Sequence, residues 1–289
     1  MKLPLLAAAA ALFSLPALAA ETPIQVFAAE NFYAEAVNAI GGDRVHVESI
    51  TIGSNVDPHD FEPPPSVARQ VSDAKIVVFN GADYDHWMEH LLESTERPDR
   101  TVIEAAGLIG VEEGENPHVW YDPRTLPAVA DAVATALAAA DPEGAAGYEE
   151  RKAAYVAGLA PIGDKVASMK QRFDGAAITA TEPVFGYMAD AIGLKVGNED
   201  FQNAIMNETE PSAQQIAEVV DALRGAKVKA LIYNNQVSDA MTEQLLTAAK
   251  EGNVPVIGVT ETIPEGQTYA QWMLGQLESL EKALAGSSS

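Results

Sequence analysis

The chain has 289 residues, with 18 Lys and Arg against 42 Asp and Glu, a formal charge of −24, and no cysteine. So acidic a chain excludes nucleic acid as a partner, because phosphate binding needs clustered basic residues, and it concentrates cations near the protein. Without cysteine there are no disulfides, no thiolate metal ligands and no lipid-modified cysteine, so stability must come from a core, which about 270 residues suffice to build.

Met1-Lys2, the alanine-rich apolar run from Leu3 to Leu18 and the small-x-small site Ala17-Leu18-Ala19 read as a secretory signal. The run is shorter and smaller in side-chain volume than the ~20 strongly apolar residues of a membrane span. Residues 1–20 are therefore excluded from the fold, and the mature protein is expected free in a periplasm.

Beyond the signal, short β runs alternate with helical ones. Ile24 to Ala28 reads as a strand, Phe32 to Ile40 as a helix ended by Gly41-Gly42, and Val45 to Ile50 as a second strand. A loop rich in Asp, Pro and His follows from Gly53 to Pro65. Ser66 to Ser72 is helical, Lys75 to Phe79 a strand closed by Asn80-Gly81, His86 to Leu92 a helix, Thr101 to Glu104 a strand, and Pro127 to Ala140 an alanine-rich helix. From Glu143 to Arg172 the chain reads as one long helix, with Pro161 and Gly163 as a plausible kink. The alternation then restarts. Strands at Ala177 to Ala180, Lys195-Val196, Ala230 to Tyr233 and Val254 to Val259 are interleaved with helices at Val184 to Ile192, Ser212 to Leu223, Asp239 to Glu251 and Tyr269 to Leu284.

This order predicts an α/β fold. Two α/β lobes with parallel-rich sheets cover residues 21–142 and 174–285, and a connecting helix over 143–173 joins them. A cleft between the lobes receives the strand ends, where open α/β sheets bind ligands. The tail from Ser287 to Ser289 is expected to be disordered.

The usual catalytic signatures, GxSxG, the P-loop, GxGxxG and HExxH, are missing, which argues against an enzyme. Two of the five histidines sit in proline-stiffened loops: His59 in Asp57-Pro58-His59-Asp60-Phe61-Glu62-Pro63, and His118 in Asn116-Pro117-His118-Val119-Trp120-Tyr121-Asp122-Pro123. A rigid loop carrying one imidazole suits metal coordination, which needs neutral nitrogens in fixed geometry. Either histidine alone reads as an ordinary loop residue; two such loops in one lobe favour a metal. His86 and His90, four apart on a helix, form a weaker candidate for a second site, set against an exposed face with Trp87 and Leu91 turned inward. Asp83 and Asp85 stand where they could border the cleft, and His46 sits in a strand with no assigned role.

With these motifs in place, the chain from Ile24 to about Leu284 resembles the metal-specific solute-binding proteins of ABC importers. The likeness rests on Asp57-Pro58-His59 followed by Glu62-Pro63, on Asn80-Gly81 and on Asn116-Pro117-His118-Val119-Trp120. It extends to Phe185-Gly186-Tyr187, to Glu210-Pro211-Ser212 and to the long connecting helix. The resemblance implies a four-ligand site, two from each lobe: His59, His118, Glu182, which stands three residues before Phe185, and Glu261. The last departs from the family's usual aspartate, and its register is open by one or two residues.

Two imidazoles and two carboxylates make an oxygen-rich donor set that suits Mn²⁺, with Fe²⁺ or Zn²⁺ as alternatives. The ion would be cargo rather than a resident cofactor, the permease of an ABC importer the partner, and the protein a monomer. The competing readings are a zinc-specific protein of the same class, a periplasmic metallohydrolase using His59, His118 and a carboxylate, and a binder of an organic solute. The hydrolase lacks a recognisable general base, and the organic-solute binder lacks converging arginines or aromatics.

Overall fold

The computed structural model describes residues 22–50, 61–207 and 209–286. The expected signal segment, His59 with most of its loop, and the serine tail lie outside the described residues. Among the described residues, no helix is long and apolar enough to cross a membrane.

Two four-stranded parallel sheets carry the fold. The first joins β1 (Ile24–Ala28), β2 (Val45–Ser49), β3 (Ile76–Phe79) and β4 (Thr101–Glu104) in the order β2-β1-β3-β4. The second repeats that order with β5 (Ala177–Ala180), β6 (Lys195–Val196), β7 (Leu231–Asn234) and β8 (Val256–Val259), giving β6-β5-β7-β8.

A parallel sheet must be covered on both faces, and the alternation of side chains along a strand shows that it is. Val26 and Ala28 of β1 and Ile76 and Val78 of β3 enter the main core. There they meet α1 (Asn31–Gly41) and α5 (Thr125–Ala140). The intervening Phe27, Val77 and Phe79 point the other way, against α2 (Pro65–Asp73) and α3 (His86–Ser94). In the second sheet, Ile178 and Ile232 join the main core, whereas Leu231 packs with α9 (Ala213–Arg224) and α10 (Ala240–Glu251).

The expected long helix is α6, Ala145–Phe173, 29 residues without interruption at Pro161. Pro161 and Ala157 are both exposed, so the carbonyl deprived of its donor lies on the water side of the helix. Its apolar stripe, Tyr148, Leu159, Ile162, Val166 and Met169, is buried in the main core. Capping boxes start the later helices: Ser212 with Gln215, Asp239 with Thr242, and Thr268 with Gln271 ahead of α11 (Tyr269–Leu284).

The sequence reading passes over two short helices, α4 (Ala105–Ile109) and α8 (Glu199–Met206). The Val184 to Ile192 helix opens as a 3₁₀ turn, Pro183–Phe185, before α7 (Gly186–Ile192).

The lobes share one core rather than a thin hinge. Phe32 packs against Trp120 at 5.1 Å between ring centroids and against Trp272 at 6.1 Å, and Tyr121 packs on Phe185 at 5.3 Å. Polar contacts cross the same boundary. Tyr121 Oη donates to Thr260 O at 2.7 Å, Tyr269 Oη to Trp120 O at 2.5 Å, and Asn31 pairs with both backbone groups of Ile263. A large aromatic interface of this kind opposes the free domain motion that small polar interfaces permit.

Candidate metal site between the lobes

Each group at the site stands on a loop at the carboxyl end of a strand or on the proline-stiffened loop of the first lobe. His118 is fully buried beneath Trp120, at 5.3 Å between rings, and Tyr84, at 6.0 Å. Its orientation comes from Asn116. The Asn116 side-chain oxygen accepts from the His118 backbone N–H at 3.1 Å and lies 2.7 Å from Nδ1. The Asn116 amide nitrogen donates to Pro183 O at 2.8 Å, which fixes which end of the amide is oxygen. Nδ1 therefore carries the proton, and Nε2 presents its lone pair toward the second lobe.

On that side stand two buried carboxylates. Glu182 lies two residues beyond β5 in extended backbone (φ −146°, ψ 164°), ahead of the Pro183 turn. Glu261 lies two residues beyond β8 and is fully buried, with its backbone N–H donating to Gln236 Oε1 at 2.5 Å. Asn234, the last residue of β7, joins them: its Nδ2 donates to Glu182 Oε2 at 2.9 Å and to Glu261 Oε1 at 2.7 Å.

The other oxygen of Glu261, Oε2, stands 3.5 Å from His118 Nε2. Two donors about 2.1 Å from one tetrahedral ion are ~3.4 Å apart, so this spacing fits a shared cation. A divalent cation would balance the charge of two buried carboxylates, which buried anions require. As they stand, no three His, Asp or Glu side chains among the described residues close around one point, and Asn234 links Glu182 into the group.

Of the four expected ligands, His118 and Glu261 face each other across the lobes and Glu182 is joined to Glu261 through Asn234; His59 is outside the described residues. Glu261 is the member of Thr260-Glu261-Thr262 whose side chain reaches His118. The other candidates lie elsewhere. His86 and His90 are exposed on α3, with His86 Nδ1 3.5 Å from Asp83 Oδ1, and Trp87 and Leu91 pack inward. His46 is exposed on β2.

Asp85 does not line the cleft as an open carboxylate. It is buried, accepts the backbone N–H groups of Asn80 and Gly81 at 2.7 and 2.8 Å, and is hydrogen-bonded to buried Glu30. Burial raises the Asp85 pKa to about 6. Glu30 is pushed well above the carboxylate range by burial and by the Asp85 charge, so the pair holds a proton. Sequence reasoning passes over Asn234, Gln236 and Glu30, although the run Asn234-Asn235-Gln236 at the end of an apolar strand is a signal for the first two.

A two-lobed α/β architecture with buried donors at the lobe boundary is the arrangement a solute-binding protein uses. The family model described as "ZnuA: Zinc-uptake complex component A periplasmic" matches residues 26–283. The chain belongs to this family, the metal-binding solute-binding proteins of ABC importers, which are extracytoplasmic and not enzymes. The metallohydrolase reading is thereby set aside.

Similar proteins include the iron ABC transporter substrate-binding lipoprotein MtsA of Streptococcus pyogenes serotype M1, 27% identical over 287 residues, covering 91% of this chain and 89% of that one. The manganese ABC transporter substrate-binding lipoprotein PsaA of Streptococcus pneumoniae is 26% identical over 286 residues, with 90% and 89% covered. A crystal structure of ZnuA shares the fold with a TM-score of 0.74 at 22% identity, over 92% of this chain and 100% of that one.

Proposed function

We propose that this protein captures one divalent transition-metal ion, Mn²⁺ by preference, and hands it to the permease of an ABC importer. It does so as a monomer free in the periplasm. His59 and His118 from the first lobe and Glu182 and Glu261 from the second are the ligands. The observation that carries the reading is the approach of His118 to buried Glu261 across the lobe boundary at a spacing suited to one ion, with buried Glu182 joined to Glu261 through Asn234.

Oxygen donors favour Mn²⁺ because it gains less from imidazole than zinc does. Zinc is the second reading, supported by the nitrogen donor at His118 and by zinc's higher absolute affinity for mixed nitrogen and oxygen sites. Release from the membrane after signal cleavage rests on the absence of cysteine from all 289 residues, which leaves no thiol for a lipid anchor.

The test is a competition titration of Mn²⁺ against Zn²⁺ at fixed pH in wild type and Glu182→His. The substitution trades oxygen for nitrogen, so the preference should move toward zinc. An unchanged ratio of dissociation constants removes Glu182 from the ligand set. A wild type without measurable Mn²⁺ binding makes zinc the cargo.

A further inference from the structure

We infer that Asn234 is a specificity-determining residue. Its amide occupies one lone-pair site on each carboxylate, holds both carboxylate planes against a rigid strand, and so limits how far each can turn to present a second oxygen to the ion. The inference rests on the two-carboxylate site just proposed.

Three features make Asn234 a restraint rather than a passing contact. It is the terminal residue of β7, a strand bonded on both sides by β5 and β8, so its side chain starts from a rigid element. Its amide cannot turn over: Oδ1 accepts the Gln236 N–H at 3.1 Å, and a flipped oxygen would face two carboxylate oxygens. It is 1% exposed, so water does not compete for its two N–H groups. Both bonds go to carboxyl oxygens in a buried site, where water does not weaken them.

A carboxylate oxygen keeps a second lone pair when it accepts one hydrogen bond, so the restraint is one of orientation: to present both oxygens to one ion, each carboxylate must rotate against its bond to the amide. Rotation of Glu182 works against the bond at Oε2, and rotation of Glu261 against the bond at Oε1. With Asn234 in place, each contributes one oxygen, and the protein's donors sum toward the four that zinc prefers. An ion that accepts more donors, such as Mn²⁺, gains from bidentate carboxylates, and Asn234 withholds that gain. The Mn²⁺ preference then rests on donor chemistry, and Asn234 holds back a further preference based on donor number.

Asn234→Leu keeps the approximate volume and removes both donors; Asn234→Ala carries the same measurement should the leucine variant fail to fold. The first readout is the ratio of the Mn²⁺ to the Zn²⁺ dissociation constant by competition. It should fall by about tenfold relative to wild type, the scale on which outer partners tune a metal site. The second readout is the visible spectrum of the Co²⁺-loaded protein. Four-coordinate Co²⁺ absorbs strongly, and the band should weaken in the variant as the coordination number rises. Both affinities falling together, with the ratio and the Co²⁺ band unchanged, would reduce Asn234 to a structural residue and overturn the inference. A ratio moving toward zinc overturns it as well. A wild type that binds none of the three ions defeats the transport reading itself, before any substitution is made, and this inference with it.

Discussion

The two sheets share one strand order, and each places a glutamate two residues after its first strand: Glu30 after β1 and Glu182 after β5. Each also ends its third strand in asparagine, Asn80 just beyond β3 and Asn234 closing β7. In the first lobe, Asn80 turns its amide to Gly81 O and Pro117 O and accepts from Tyr33 Oη, while Glu30 pairs with Asp85. That crevice is closed: its acids share a proton and take backbone N–H groups. In the second lobe, Asn234 spends its amide on two carboxylates, one of which faces an imidazole from the other lobe. Similar residues at matching strand ends thus seal one crevice and equip the other for a cation. The deciding difference is whether the asparagine amide serves backbone carbonyls or carboxylates.

The sharpest way to break this comparison is to neutralise one acid on each side. Glu261→Gln should weaken metal binding by more than about 100-fold, since it removes a charge at the ion itself. Glu30→Gln should leave affinity within about twofold. His59→Ala and His118→Ala belong with the first, and His86→Ala with the second. Calorimetric titration of the set decides it, and comparable losses in Glu30→Gln and Glu261→Gln would erase the distinction between the crevices.

The pH dependence of folding sharpens the same contrast. A carboxyl pair that holds its proton more tightly when folded stabilises the protein below the ordinary carboxylate range. It loses that contribution as pH rises from about 4 through about 6 and beyond. Glu30→Gln keeps a donor toward Asp85 without the titration. Denaturation at a series of pH values should therefore show a flatter decline and a variant more stable than wild type at pH 7.5. An unchanged pH profile would mean that Glu30 and Asp85 do not share a proton.

A smaller loss than at the ligands is expected at Asn116, which orients His118 and bonds to Pro183 next to Glu182. Asn116→Ala should cost about tenfold in metal affinity, because the imidazole loses its tautomer partner. Asn116→Asp keeps the acceptor and should recover most of that loss.

Much of this architecture is legible in the chain. The strand and helix alternation follows hydrophobic period, and β1, β4, β5, β6 and α11 begin and end where the pattern changes. The helices α4 and α8 escape because five and eight residues give too few turns for a 3.6 period to stand out. The site divides in the same way. His118 and Asn116 lie within one proline-bracketed motif and announce themselves together. The bonds from Asn234 span 52 residues to Glu182 and 27 to Glu261, and the lone amide carries no local pattern. Its importance depends on sheet order, which places the ends of β5, β7 and β8 side by side.

The central claim, one ion held between the lobes, is tested most directly by a crystal structure of the Mn²⁺-loaded protein with anomalous data collected at the manganese edge. The account predicts a single strong peak per chain, within about 2.0–2.4 Å of His118 Nε2, of an oxygen from each of Glu182 and Glu261, and of His59. A peak beside Asp83, His86 and His90, or none between the lobes, would contradict it.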